Sequence, residues 1–299
     1  MKKIIVTTTI NAPTEATLRF SRMEGWDLIV VGDKKTPHEE YKKIDCYYFH
    51  PEDQESKYNK LSNLIGWNNI QRRNLGFVEA YNIGADIIAT VDDDNIPYEN
   101  WGQDLILGKE IACDLFSSEN GVFDPLSATN TSEIWHRGYP LELLGTKNNI
   151  TYKGKVKNKF MVQADLWDGD PDIDAITRLT VKPIVKYTNK EPFWSKQISP
   201  FNSQNTFLVR DAIRDYAVIP GVGRMDDIWG AYFFQKSHPE SVVYNKASVY
   251  QDRNEQDLIV NLEKEIIGYK NNLNLINGDF DTPKHITDFY KIYQESFNS

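Results

Sequence analysis

A mostly parallel α/β sheet flanked by helices is predicted by three features of the chain. Short β-rich apolar runs alternate with helix-spaced segments through its first third, and such strand–helix–strand units imply parallel strands with right-handed crossovers. One of those runs, residues 87–91, ends in Asp92, Asp93 and Asp94, where open α/β sheets place their ligands. At 299 residues the chain suits one large domain with a substantial core.

The elements follow in order. Residues 3–9 are rich in Ile, Val and Thr and read as a first strand; residues 13–23 hold a helix. Residues 26–31 form a second buried strand closed by Gly32 and Asp33, and residues 46–49 a short third. Residues 61–83 read as one long helix, from Leu64, Ile65, Ile70, Leu75, Val78 and Ala80 near helical spacing, with Gly66 and Gly76 as interruptions. Strand 87–91 follows. From residue 114 to about 187 the pattern loosens into short strands and polar loops, and the four lysines of residues 153–159 read as a solvated loop. Strands at residues 206–209 and 242–250 flank a helix at 226–236, and helices at 255–275 and 286–297 close the chain. The expected switch point gathers Thr7, Thr8, Thr9, Asp33 and the triplet on one edge.

Composition excludes several functions. With 34 basic and 43 acidic residues the net charge is −9, which argues against gripping nucleic acid through its phosphates. Cys46 and Cys113 lack C-x-x-C spacing, so neither a zinc site nor a disulfide framework is indicated. The apolar run after Met1 is too short for a signal peptide, and no run approaches the roughly 20 residues that span a bilayer. A cytoplasmic location is therefore expected. No His-Glu-x-x-His, Gly-x-Ser-x-Gly or P-loop pattern occurs.

Four constellations could carry chemistry. Adjacent carboxylates repel one another at Asp92, Asp93 and Asp94, and Mg²⁺ or Mn²⁺ removes that conflict while bridging to phosphates; a solvated acidic turn is the competing reading. In Gly221-Val222-Gly223-Arg224-Met225-Asp226-Asp227, the glycines permit close backbone approach, Arg224 can pair with phosphate, and two acids open a helix. Five aspartates lie within residues 165–174 around Trp167, in what reads as a turn-rich loop whose spacing does not fit an EF-hand. Finally Arg72, Arg73, Arg137 and Arg178 are candidates for clamping a diphosphate.

The ordered series Arg73-Asn74-Leu75-Gly76-Phe77, Asp92-Asp93-Asp94, Arg137-Gly138-Tyr139-Pro140, Leu166-Trp167, Pro171-Asp172-Ile173-Asp174-Ala175 and Arg224-Met225-Asp226-Asp227-Ile228-Trp229 resembles the reversibly glycosylated polypeptides (UDP-arabinopyranose mutases). It is also similar to the STELLO-type glycosyltransferases. The resemblance runs over roughly residues 1–250 and implies a single GT-A domain: residues 1–115 for the nucleotide sugar, 116–250 for the acceptor, and 251–299 as a C-terminal helical segment. It implies an Asp-x-Asp motif in which Asp92 meets the ribose and Asp94 the metal, both being metal-ligand candidates, with Asp93 between them. Thr8, Asp33, Arg73, Asp92, Asp93, Trp167, Arg224 and Lys246 are the donor-binding candidates, and the resemblance further implies an Arg137 that can carry sugar and an acidic pair Asp226 and Asp227 beside the acceptor. Tyr244 and Leu144 stand where the mutases have a histidine and an arginine, which favours transfer over ring contraction.

The expected function is metal-dependent glycosyl transfer from a nucleoside-diphosphate sugar, most simply a UDP-sugar, with Mn²⁺ or Mg²⁺ as cofactor. The acceptor is open between glycan, lipid, protein and modified base, and an oligomer is allowed. A mutase self-glycosylated on Arg137 and a non-catalytic nucleotide-sugar-binding module are the alternatives.

Overall fold

Strand β1 (Lys3–Thr9) places Ile4, Ile5 and Val6 in the core and pairs in parallel on both sides, with β2 (Asp27–Gly32) and β4 (Ile87–Val91). The short β3 (Tyr47–Phe49) adds to β2, also in parallel. Helices α1 (Glu15–Phe20), α2 (His38–Tyr41), α3 (Pro51–Lys57), α4 (Asn59–Ile65) and α5 (Arg73–Asn82) fill the crossovers. This computed structural model describes residues 1–253 and 256–298.

Beyond β4 the sheet becomes mixed. Strand β10 (Asn205–Val209) runs antiparallel between β4 and β8 (Val162–Gly169), and β11 (Val242–Gln251) lies parallel to β8. Strand β9 (Phe193–Ser195) joins β11 to a long hairpin of β6 (Glu110–Ser118) and β7 (Ile150–Lys159), and β5 (Asn95–Pro97) returns from the triplet to pair with β11. The order is β3-β2-β1-β4-β10-β8-β11-β9-β6-β7. Helices α6 (Ala175–Thr180), α7 (Asp226–Ser237), α8 (Leu258–Asn277) and α9 (Lys284–Glu295) complete the layers. Among the described residues no helix is long and apolar enough to cross a membrane.

Four sequence expectations change. The long helix at 61–83 is two helices: Gly66 ends α4 at φ 74°, and Asn68 turns with φ 58° before α5 begins. Positive φ suits glycine and interrupts helical hydrogen bonding. Gly76 has the opposite role, because a Cβ there would come within 2.5 Å of Val6 and 2.6 Å of Val31. Its missing side chain lets α5 lie against the sheet and sets Arg73 at the strand ends. The lysine-rich loop is instead the edge strand β7, whose lysines point outward as charges that protect an edge. The acidic loop around Trp167 is largely β8, buried along its whole length. The helix expected at 255–275 begins at Leu258; Glu255 lies outside the described residues.

Candidate active site

Strand β4 delivers Asp92 to Asp94 to the carboxyl edge, and β10 enters that edge from the opposite direction. Asp92 N–H donates to the Gln204 carbonyl at 3.2 Å, so the strands are tied where they meet the site. Arg73, first residue of α5, donates from Nη2 to Asp92 Oδ1 at 2.6 Å and from Nη1 to both the carbonyl and Oγ of Ser203 at 2.8 Å. Ser203 in turn donates its backbone N–H to Asp227 Oδ2 at 2.9 Å. The segment entering β10 thus links the triplet to the start of α7.

Asp94 is differently placed. Its Oδ1 is buried without a hydrogen-bond partner. Burial, and then the charge of Asp92, push its carboxyl up to about 7. Burial also raises Asp92, opposed by Arg73. Asp93 faces a smaller neighbouring hollow, where Thr9 Oγ1 donates to its Oδ2 at 2.5 Å and Asn11 Nδ2 at 3.1 Å.

The opposite wall is an ion-pair cluster. Arg137 donates from Nε to Asp172 at 2.9 Å and from Nη2 to Asp172 at 2.8 Å and Asp227 at 3.0 Å, and it also reaches the Arg224 carbonyl. Although burial disfavours both charges, the pair holds the Asp172 carboxyl below its ordinary value and Arg137 above its own. Asp226 is free of such a cation. It accepts from Gln71 Nε2 at 2.7 Å, and burial followed by the Asp227 charge pushes it up to about 7.

These groups enclose a cavity of about 520 Å³ whose lining includes Asp92, Asp94, Arg137, Arg224, Asp226, Asp227 and Arg253. An adjoining hollow of about 230 Å³ is lined by Thr8, Asp33, Asp93 and their neighbours, and Asn68, Asn69 and Ile70 border both spaces. The Asn68 N–H donates to Asp33 Oδ2 at 2.7 Å, which fixes the partition between them.

Nine sequence candidates therefore line one cavity or the other in these two groups: Asp92, Asp94, Arg137, Arg224, Asp226 and Asp227, then Thr8, Asp33 and Asp93 beside them. The remaining placements are corrections. Arg73 supports Asp92 from behind rather than lining the cavity. Trp167 is a core residue on β8, 3% exposed, its ring against His136 and Tyr187. Lys246 pairs with Asp104 at 2.5 Å away from both spaces. Arg72 stacks on Trp67 at 3.3 Å and donates to Gln54, and Arg178 pairs with Asp170, so neither reaches the cavity. Tyr244 is buried and donates to the Pro200 carbonyl at 2.7 Å.

Sequence reasoning missed Arg253, Gln71, Ser203 and Lys264. Arg253 reaches the cavity because β5 and β11 pair, with the Asp252 N–H donating to the Asp94 carbonyl at 3.1 Å. Its Nε is buried without a hydrogen-bond partner, and its nearest carboxylate is Asp170 at 3.5 Å. An arginine following the last strand carries no motif that could have announced it.

Among the described residues no group of three His, Cys, Asp or Glu side chains is arranged to hold a metal unaided. The donor set nonetheless fits a hard cation shared with phosphate: Mg²⁺ sites commonly use one or two carboxylates plus substrate oxygens, and Asp94 presents a buried carboxylate oxygen with no partner.

Comparison with known proteins places this chain near glycosyltransferases. It is 24% identical over 301 residues to the probable glycosyltransferase STELLO2 of Arabidopsis thaliana, a match covering 89% of this chain and 39% of that protein. STELLO1 of the same plant matches equally, at 24% identity over 89% of this chain and 38% of its own length. The chain thus spans about two-fifths of these relatives. No protein-family profile matches it. Among solved structures, glucosyl-3-phosphoglycerate synthase of Mycobacterium tuberculosis, in complex with Mn²⁺, uridine diphosphate and phosphoglyceric acid, superposes with a TM-score of 0.49 at 11% identity, over 95% of this chain and 80% of that one. The similarity to STELLO-type proteins is thereby borne out, while the mutase resemblance rests on its motifs alone.

Proposed function

We propose that this chain is a GT-A glycosyltransferase that takes a nucleoside-diphosphate sugar, with UDP as the nucleotide and a divalent cation as cofactor. The observation that carries the reading is Asp94, whose Oδ1 on the cavity wall is buried without a hydrogen-bond partner, as is the Nε of Arg253 in the same lining. Buried polar atoms left without a hydrogen-bond partner are costly in a fold with no ligand to meet them. The STELLO relatives support the same class.

Asp94, with Asp92 beside it, would hold Mn²⁺ or Mg²⁺, which supplies positive charge against the leaving diphosphate. Arg253 and Arg224 present planar forks to the diphosphate oxygens. The hollow bounded by Thr8, Asp33, Asn68 and Asp93 takes the nucleoside. Asp226 serves as general base for the acceptor hydroxyl, since a carboxyl near neutrality can accept a proton at working pH. Asp227 is its structural partner, with both oxygens committed to Arg137 and Ser203.

Against the mutase reading stands the pairing of Arg137 with Asp172 and Asp227, which keeps the guanidinium cationic and a poor nucleophile. Incubation with UDP-sugar followed by intact mass tests this directly, the expected result being no adduct. The principal test is calorimetric titration of UDP with and without Mn²⁺. Affinity is expected to rise with the metal in the wild type and not in Asp94→Asn; a wild type indifferent to Mn²⁺ overturns the assignment.

A further inference from the structure

We propose that Glu265, on α8, is a positioning residue of the donor site: it holds Arg224 in the cavity and keeps that arginine off the carboxylate reserved for Arg137. The inference rests on the donor reading above. Glu265 lies well outside every motif that announces the site, and is fully buried. Its Oε1 accepts from Arg224 Nε at 2.8 Å, while Oε2 accepts the Ala175 N–H at 2.8 Å and the Tyr269 hydroxyl at 2.7 Å. A buried carboxylate with both oxygens satisfied from three sides is fixed in direction, and it fixes what pairs with it.

The backbone makes that contact obligatory. The Gly223-Arg224-Met225 turn packs closely on α8: a Cβ on Gly223 would come within 2.1 Å of the Lys264 carbonyl, and one on Gly268 within 2.5 Å of Met225 Sδ. One turn further along α8, Asn272 Nδ2 donates to the Gly138 carbonyl at 2.8 Å, next to Arg137. The helix therefore sets the spacing of the two arginine-bearing turns.

The consequence is a division of partners. Asp172 is doubly bound to Arg137, yet Arg224 Nη2 lies only 4.0 Å from its Oδ1. With Glu265 neutralised, Arg224 is drawn to Asp172, competes with Arg137, and leaves the cavity wall. One carboxylate for each guanidinium prevents this.

The experiment titrates UDP in saturating Mn²⁺ into the wild type, Glu265→Gln, Arg224→Gln, the double variant and Tyr269→Phe, with far-UV circular dichroism as the folding control. Glu265→Gln and Arg224→Gln are each expected to weaken UDP binding about tenfold, with the double variant no weaker than Arg224→Gln. Tyr269→Phe removes another hydrogen bond to the same carboxylate and is expected to lower the melting temperature while leaving UDP affinity unchanged. Wild-type affinity in Glu265→Gln, or multiplicative effects in the double variant, overturns the inference while the donor reading stands. A wild type that does not bind UDP defeats the donor reading and this inference with it. If Glu265→Gln does not fold, Glu265→Asp, which keeps the charge but shortens the reach by one methylene, carries the same expectation; failure of both to fold assigns Glu265 to the scaffold instead.

Discussion

The two walls of the cavity are built on opposite electrostatic plans. On the strand-end wall, Asp94 has a buried oxygen with no hydrogen-bond partner, and the buried Nε of Arg253 makes no hydrogen bond, its ion-pair partner Asp170 lying 3.5 Å away. On the α7 wall, Arg137 is paired with Asp172 and Asp227, and Arg224 with Glu265. Unsatisfied buried charge destabilises a fold and persists where a ligand completes it, whereas mutually satisfied charge maintains geometry. The contrast teaches which wall awaits a ligand and which one holds its shape for it. Substitution of Asp94 on the first is expected to alter binding, and breaking the Arg137 pairs on the second to alter stability.

The sharpest separation is expected from Asp226, the acid on the second wall that has no cation of its own. Asp226→Asn should lower kcat by about 10²–10⁴ while leaving UDP affinity within about twofold, measured by turnover and calorimetry. In the wild type, kcat should rise with pH through about 7, as the Asp226 carboxyl loses its proton, and the Asn variant should lack that limb. Asp172→Ala is expected to cost about 3–5 kcal/mol by leaving Arg137 with one partner fewer in the interior, read by urea denaturation. If Asp172→Ala instead spared stability and abolished only binding, the division between the walls would fail. Asp94→Asn should do the reverse, keeping or raising the melting temperature while removing the response of UDP affinity to Mn²⁺.

The scaffold beneath both walls provides a control. Asp165 on β8 is pushed up to about 7, chiefly by burial, from an ordinary value of 3.8. Its folded form therefore binds a proton more tightly than the unfolded chain. The stability it contributes is full below about pH 4 and is lost as pH rises through about 7. Asp165→Asn should remove that slope and be the more stable protein at pH 8, by up to a few kcal/mol in thermal and urea unfolding. Smallest of all, Lys246→Ala is expected to change stability by less than about 1 kcal/mol and UDP affinity not at all, because its partner Asp104 lies on the surface.

The parallel strands near β1 were legible because Ile4, Ile5 and Val6, and Ile87, Ile88, Ala89 and Val91, form near-continuous apolar runs, as strands covered on two sides must. The lysine-bearing β7 and the aspartate-bearing β8 were not legible. An edge strand tolerates charge on its open side, and β8 buries Asp168 only because the Tyr98 hydroxyl and the Tyr187 N–H meet it from elsewhere in the chain. Local pattern cannot register partners that arrive from a distance.

By itself the sequence determined the triplet at a strand end, the Asp226 and Asp227 pair opening a helix, and the glycines that permit close approach, since each is a property of neighbouring residues. Only the tertiary structure decided which arginines face the cavity. Arg72, Arg73 and Arg178 are consumed by Gln54, Asp92 and Asp170, while Arg253 is carried in by the pairing of β5 with β11. Which guanidinium faces the cavity depends on partners distant in the chain, and that is settled by packing across the sheet.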